Sequence, residues 1–133
     1  MKAPGTWTLE QMFAGRPAAR GLFEVVRQYI ESLGPVTLEV TKTQVSFGTK
    51  RKFAWVWLPQ MWISKQPDES ITLTFALPRK TEDPRIRSVV EPRPGRFTHH
   101  VVITKESDFD TRVREWLQEA FERSRGYMND TQR

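Results

Sequence analysis

Val36–Leu58, with the sequence VTLEVTKTQVSFGTKRKFAWVWL, decides the fold that we predict for this chain. Apolar and polar residues alternate from 36 to 40, which is the period of a strand with one buried face. A second short alternation leads to Gly48–Arg51, which has the composition of a turn. Phe53–Leu58 then has no polar position. A strand that is apolar on both faces belongs in the middle of a sheet.

The aromatic residues of this central strand can face either side of the sheet. We expect Phe53, Trp55 and Trp57 to lie under the helices, since large aromatic side chains gain most from burial. The opposite orientation would leave the three aromatics on the open face among basic residues, where they would form a platform for stacking nucleic-acid bases. The same patch could instead pair two copies of the protein, because exposed apolar patches mark interfaces.

The N-terminal region is predicted to be helical. A capping-box pattern at Thr8–Gln11 begins a short helix, which Gly15 stops. Pro17 suits a first helical position, and we predict a helix from there to Leu33, ended by Gly34-Pro35. Its predicted apolar stripe consists of Leu22, Val26, Tyr29, Ile30 and Leu33.

A second amphipathic helix is predicted near the C-terminus. It begins at Ser107–Asp110, where acidic residues favour the positive end of the helix dipole, and it ends at Gly126. Its predicted apolar face consists of Phe109, Val113, Trp116, Leu117, Ala120, Phe121 and Ser124.

Three further segments, Ile71–Leu77, Arg85–Val90 and Phe97–Ile103, read as strands. The second has the arginines and neighbouring prolines of an edge strand. Strand connections are too short for parallel crossovers, so we expect an antiparallel sheet. The order of elements predicts an α+β fold, a two-layer sandwich in which an N-terminal and a C-terminal helix pack on one face of about five to six strands.

The composition is that of one small domain. The chain has 133 residues, and we predict a single domain over 8–126 with flexible segments at 1–7 and 127–133. Without cysteine it has no disulfide and no zinc-thiolate site. The N-terminus lacks the apolar region of a signal peptide, and no apolar run reaches the ~20 residues that span a bilayer. We therefore expect a cytoplasmic protein without a membrane partner.

Several segments together follow a pattern of a known family. They are Leu33–Val36, Lys42–Phe47, Phe53–Val56, His100 ahead of Val101–Ile103, Asp108–Asp110 and Ala120–Ser124. After about Leu9 the chain resembles the bacterial domain of unknown function 5655 family, small domains of which some are labelled "predicted transport protein". Other members sit behind nuclease-like domains, which implies an association with nucleic acid. The resemblance implies no catalytic residue. Lys42 is the polar residue of the family pattern that we carry over to this chain as a candidate functional residue.

No catalytic or metal-binding signature is evident in the sequence. His99 and His100 are adjacent on a predicted strand, so their side chains should point to opposite faces and cannot easily bind one metal. The serines lack the glycine-flanked elbow of a nucleophile, and there is no glycine-rich phosphate loop. We therefore predict no metal, no cofactor and no catalytic residue, and we favour a protein that is not an enzyme.

Basic residues give the main functional signal. Lysine plus arginine is 21 against 16 acidic residues, a net charge of +5, and basic domains are drawn to polyanions. We predict a non-enzymatic binding module for nucleic acid or another polyanion. The candidate binding residues are Lys42, Lys50, Arg51, Lys52, Trp57, Arg85, Arg87, Arg93, Arg96 and His99.

Two alternative functions stay open at this point. A pocket between the sheet and the Arg79–Arg96 loop could bind a small molecule or an anion, held by Lys42, Arg96 and a histidine. The open face of the sheet could instead make the chain a homodimeric interaction domain.

Overall fold

The computed structural model describes residues 7–58 and 70–126. The helices in these residues are α1 (Leu9–Met12), α2 (Pro17–Leu33) and α3 (Thr111–Ser124), with a 3-10 turn at Glu106–Asp108. None of them has the length and apolar character that crossing a membrane requires. The predicted flexible segments 1–7 and 127–133 fall outside the described residues apart from Trp7, so the proposed domain limits stay a prediction.

Six strands form one antiparallel sheet, in the spatial order β1-β2-β3-β4-β6-β5. The strands are β1 (Thr37–Val40), β2 (Gln44–Gly48), β3 (Lys52–Trp57), β4 (Ile71–Leu77), β5 (Ile86–Arg93) and β6 (Arg96–Ile103). The larger helices α2 and α3 contact each other and the sheet. The predicted α+β sandwich, with its helices against an antiparallel sheet, is confirmed.

Strand β6 lies between β4 and β5, although β5 comes first in the chain. Val101 and Ile103 of β6 are buried, which suits an interior position. In β5, Pro92 cannot donate a ladder hydrogen bond and Arg87 is exposed, so this strand is suited to the edge, as predicted. Gly95, at φ +79°, closes the tight turn between the two strands.

A β-bulge at the start of β3 decides which of its residues face the helices. Ala54 is opposite Phe47 of β2, whereas Gly48, the next residue of β2, is opposite Lys52. Phe53 is therefore an extra residue in β3, and an extra residue changes the alternation between the two faces.

Because of the bulge, the central aromatics divide between the two faces. Phe53 packs against Phe121 of α3 as predicted, with ring centroids 5.7 Å apart. Ala54 also faces the helices, because its neighbours across the sheet are Phe47 of β2 and Phe75 of β4. The rings of these two residues pack against α2 and α3, respectively. The alternation is regular beyond this point, so Trp55 and Trp57 lie on the open face. The prediction that they lie under the helices was wrong, because it assumed that Phe53, Trp55 and Trp57 all lie on the same face. The extra residue in β3 breaks that regular alternation.

Aromatic stacking joins α3 to the centre of the sheet. Phe75 of β4 is fully buried and stacks on Trp116 of α3, with ring centroids 5.4 Å apart. It also stacks almost parallel to the His99 imidazole at 5.3 Å. The residues predicted for the apolar face of the C-terminal helix are all buried. The helix itself begins later than predicted, because Asp110 caps its first turn.

The buried face of α2 is rotated from the predicted stripe. Val26 and Ile30 are buried as predicted, whereas Leu22 and Tyr29 are only half-buried. Phe23 takes the central position and packs on the sheet. It lies three residues before Val26 and seven before Ile30, which places all three on one side of a helix.

Phe75→Ala should lower the free energy of unfolding by about 3–5 kcal/mol, because it removes a fully buried ring between Trp116 and His99. Urea denaturation followed by tryptophan fluorescence measures the change. Gln28→Ala, on the exposed side of α2, is the control and should change the free energy by less than about 0.5 kcal/mol. Equal effects of the two substitutions would contradict the described core.

Candidate functional site

A basic cavity of about 170 Å³ lies where the turn before β3, the β5–β6 turn and the end of α3 meet. We call it the arginine pocket. Its basic lining residues are Arg51, Lys52, Arg93, Arg96 and Arg123. The rest of its described lining is apolar or small, and none of it is acidic. The fold thus collects five positive charges from three separate parts of the chain.

Arg96 is the residue most constrained in the arginine pocket. It is half-buried, and its Nη2 donates to the backbone carbonyl of Lys52 at 2.8 Å. Its guanidinium also lies over the Trp55 ring, 5.9 Å from the centroid. Burial lowers the pKa of Arg96 from its ordinary value, and the charges of Arg93 and Arg51 lower it further. The cation is thus held in place while its surroundings disfavour its charge.

The pocket arginines lack acidic partners. Over residues 7–58 and 70–126, no carboxylate pairs with Arg51, Arg93, Arg96 or Arg123. Only Lys52 has a carboxylate, since Glu39 Oε1 lies 2.7 Å from its Nζ. Elsewhere in the described residues, Arg20, Arg27, Arg79 and Arg85 have acidic partners, whereas Arg87, Arg112, Arg114 and Arg125 form no ion pair. The pocket therefore has an excess of positive charge at one place.

The C-terminus of α3 forms one wall of the pocket. A helix C-terminus has a partial negative charge, which Arg51 offsets by directing Nη2 at the Arg123 carbonyl, 3.5 Å away. The Ser124 hydroxyl donates to the Phe121 carbonyl at 2.6 Å and accepts from Thr49 Oγ1 at 2.6 Å. These bonds hold the basic turn against the helix, so the two are fixed relative to each other.

A second cavity, of about 210 Å³, lies on the open face of the sheet. We call it the tryptophan pocket. Its lining residues are Trp55, Trp57, Thr74, Val90, Pro92, Thr98 and His100. Two indole rings form one side and the edge strand β5 forms the other, so the cavity is largely apolar.

A chain of hydrogen bonds fixes the polar part of the tryptophan pocket. The Trp57 indole can only donate, so Thr74 Oγ1 accepts its Nε1–H at 3.0 Å. Thr74 Oγ1 also forms a hydrogen bond of 2.7 Å with His100 Nδ1, in which the imidazole tautomer decides which of the two atoms donates. Burial, together with the charge of neighbouring His99, lowers the pKa of His100 to about 4. His100 is therefore neutral at pH 7.

His99 lies on the other face of the sheet, as expected for the neighbour of His100 on a strand. Its Nε2 accepts the backbone N–H of Thr81 at 3.0 Å, and its ring stacks on Phe75. Its Nδ1 has no hydrogen-bond partner among the described residues. Burial lowers the pKa of His99 as well. Buried under α3, it is a core residue and lines neither pocket.

The predicted binding residues therefore separate. Arg51, Lys52, Arg93 and Arg96 meet in the arginine pocket, and Trp57 lines the tryptophan pocket. Lys50 is exposed in the turn beside Arg51. His99 is in the core, and Arg87 is exposed on the edge strand.

Two predicted contacts lie away from both pockets. Arg85 pairs with Asp83 at 3.0 Å and also with Asp110, so its charge is neutralised inside the fold. Lys42 is in the turn whose Thr43 carbonyl accepts the N–H of Leu58. That turn is at the far end of β3 from Arg96, about 20 Å along the strand. An anion held jointly by Lys42, Arg96 and a histidine is therefore ruled out.

One lining residue, Arg123, was missed from the sequence. It lies in the last turn of α3, where a basic residue also favours the helix dipole. Its place in the pocket depends on where α3 ends against β3, which a single sequence does not indicate. The described residues hold no group of three or more histidines, cysteines or acids that could bind a metal. The chemistry that this arrangement supports is electrostatic and hydrogen-bonded recognition of an anion.

The two buried histidines make stability depend on pH. His100 has a pKa of about 4 in the folded chain and about 6.5 when unfolded, so the unfolded chain binds more protons between these values. Stability should therefore be full above pH 6.5 and fall by about 3 kcal/mol towards pH 4, with His99 acting in the same direction. Urea denaturation across this range measures the fall.

The control for this effect is His100→Gln, which removes the titrating group. Its free energy of unfolding should change less between pH 7 and pH 4, even if it is lower at pH 7. The ion pair with Arg85 holds the pKa of Asp83 below its usual 3.8, so its titration falls below this range. The same slope in both proteins would contradict the role given to His100.

The comparisons with known proteins agree with the resemblance noted from the sequence. The family described as "Domain of unknown function (DUF5655)" matches residues 9–124. No curated protein and no solved structure matches the chain. The matched range runs from the first residue of α1 to the last residue of α3, so it includes every helix and strand described above. The chain belongs to the domain of unknown function 5655 family.

Proposed function

We propose that this chain is a non-enzymatic binding module for phosphate-bearing polyanions, with the arginine pocket as its contact site. The observation that supports this is the half-buried Arg96, which lies beside Arg93 and Arg51 with no carboxylate in the described lining. Like charges that converge in a partly buried site destabilise it unless an anion neutralises them. A bound phosphate would supply that missing negative charge.

Arginine is the residue type suited to this role. Its planar guanidinium can donate two parallel hydrogen bonds to a phosphate, which adds direction to the charge attraction. The bond from Arg96 to the Lys52 carbonyl uses one nitrogen and fixes the orientation of the group. The pocket of about 170 Å³ suits one or two phosphate groups. The rest of a polyanion would continue over the exposed turn at Lys50.

Nucleic acid is the first candidate for the polyanion. The net charge of +5 favours encounter with any polyanion, and the arginines then determine where the phosphates bind. Such contacts to phosphate position a protein on nucleic acid without reading the sequence. We therefore expect binding with little sequence preference from this pocket alone.

Arg96→Ala should weaken the binding of inorganic tripolyphosphate by about 10- to 150-fold, since hydrogen bonds to charged groups contribute about 1.5–3 kcal/mol. Isothermal titration calorimetry at low salt measures the affinity. Arg87→Ala is the matched control, because it removes the same charge from an exposed position outside both pockets. The control should leave the affinity nearly unchanged. Equal losses, or no binding by the natural sequence, would refute the proposal.

Binding to nucleic acid should depend on salt. If the half-buried Arg96 and Arg123 each contact a phosphate inside the pocket, and the exposed Arg51 and Arg93 each contact one at its rim, log K should fall against log salt with a slope of about −3.6 on duplex DNA or about −2.8 on a single strand. Arg96→Ala should make the slope shallower by just under one unit, whereas Arg87→Ala should keep it. Fluorescence anisotropy of labelled oligonucleotides measures both slopes. A slope near zero would mean that phosphate contacts do not drive the binding.

A further inference from the structure

The tryptophan pocket adjoins the arginine pocket, and one pair of side chains joins them. Arg96 lines the arginine pocket, Trp55 lines the tryptophan pocket, and the guanidinium lies 5.9 Å from the centre of the indole ring. From this arrangement we infer that the bound anion is a nucleotide unit, with its phosphate at the arginines and its base in the tryptophan pocket. The inference rests on the proposed function and names the ligand of that site.

The size of the tryptophan pocket fits a planar ring. Its volume is about 210 Å³, and an apolar cavity of about 150 Å³ is known to accept benzene. Val90 lines this pocket and is 41% exposed. Among the described residues it is the one large hydrophobic side chain that is exposed. A base bound between Val90 and the indoles would cover this surface.

The chemistry of the lining also fits a base. Indole faces stack on any nucleobase, and the lining Thr98 hydroxyl, which donates to the Val90 carbonyl, can still accept a hydrogen bond. His100 adds no charge at pH 7, because burial lowers its pKa to about 4. A neutral lining with hydroxyl groups suits an uncharged heterocycle with polar edges.

Contacts within the protein hold both indole rings before any ligand binds. The hydrogen bond to Thr74 fixes the Trp57 ring, and the Arg96 guanidinium lies over the Trp55 ring. Neighbouring Thr72 and Thr74 are buried under these side chains. Little conformational entropy is then lost when a base stacks, which favours affinity.

The test compares four phosphates by calorimetry on the full chain at low salt. Adenosine monophosphate should bind about 5- to 150-fold more tightly than ribose 5-phosphate, which is the range expected for stacking one base. Hexyl phosphate, which has an apolar but non-planar group, should bind more weakly than adenosine monophosphate. A trinucleotide of adenylate identifies the source: tighter binding than the mononucleotide indicates single-stranded nucleic acid, and equal binding indicates a free nucleotide. Either of these two results supports the inference.

Two variants assign the effect to the pockets. Trp55→Leu keeps an apolar side chain but removes the stacking surface, so it should reduce the affinity for adenosine monophosphate to that for ribose 5-phosphate. Because Trp55 also contacts Arg96, the readout is the ratio of the two affinities measured on the same variant, which should fall to about one. Arg87→Ala should preserve the preference for the base. Thermal unfolding of each variant verifies that it is folded.

The outcomes separate this inference from the proposed function. Equal binding of adenosine monophosphate, ribose 5-phosphate and hexyl phosphate would overturn the nucleotide assignment and leave the anion site standing. Failure of all four phosphates and of tripolyphosphate to bind would overturn both. Sedimentation showing a dimer that shields Trp55 from iodide quenching would also overturn the nucleotide assignment, because a second copy would then occupy the pocket.

Discussion

The extra residue at the start of β3 is the constraint on which the two surfaces depend. A strand alternates strictly between faces, so one inserted residue transfers every later side chain to the other side. Phe53 and Ala54 both turn towards the helices, and the core keeps a large ring against Phe121. The same shift places Trp55 and Trp57 on the open face, where they line a cavity. Without the bulge, the chain would bury its indoles and have no tryptophan pocket.

Some charged residues of the molecule form ion pairs, and others have no acidic partner among the described residues. Most ion pairs in the described residues, such as Arg20–Glu24 and Arg85–Asp83, tie neighbouring parts of the fold together. Among the described residues the arginines around the start of β3 have no such partners, and burial with like charges lowers the pKa of Arg96. Local electrostatic cost of this kind concentrates at sites that bind or react.

Local patterns predicted much of the fold. The spacing of apolar residues correctly predicted the buried face of α3. Pro17 marked the start of α2, and Gly34-Pro35 marked its end. The bulge was not predictable, because nothing in the letters around Phe53 signals an extra residue. The phase of α2 was also misjudged, since Phe23 and Leu22 are equally apolar and only contact with the sheet selects between them.

The positive charge of the candidate site was predictable from the sequence, but the set of residues that line it was only partly predictable. The basic turn and the arginines near Arg96 were recognised as one possible patch, and four of them do converge. Arg123 was not, because it joins the patch only through the packing of α3. Arg85 lies outside this patch and pairs with Asp110, which is far along the chain. Long-range pairing of this kind leaves no trace in a single sequence.

The insertion of β6 between β4 and β5 has a consequence for synthesis on the ribosome. The side of β4 that β6 will occupy lacks this partner until β6 has been made, and the rings of Phe53 and Phe75 lack their contacts with α3 until that helix follows. A nascent chain therefore exposes both an open strand edge and apolar rings until almost all of the described sequence has emerged. Such a chain gains its stability late and nearly all at once.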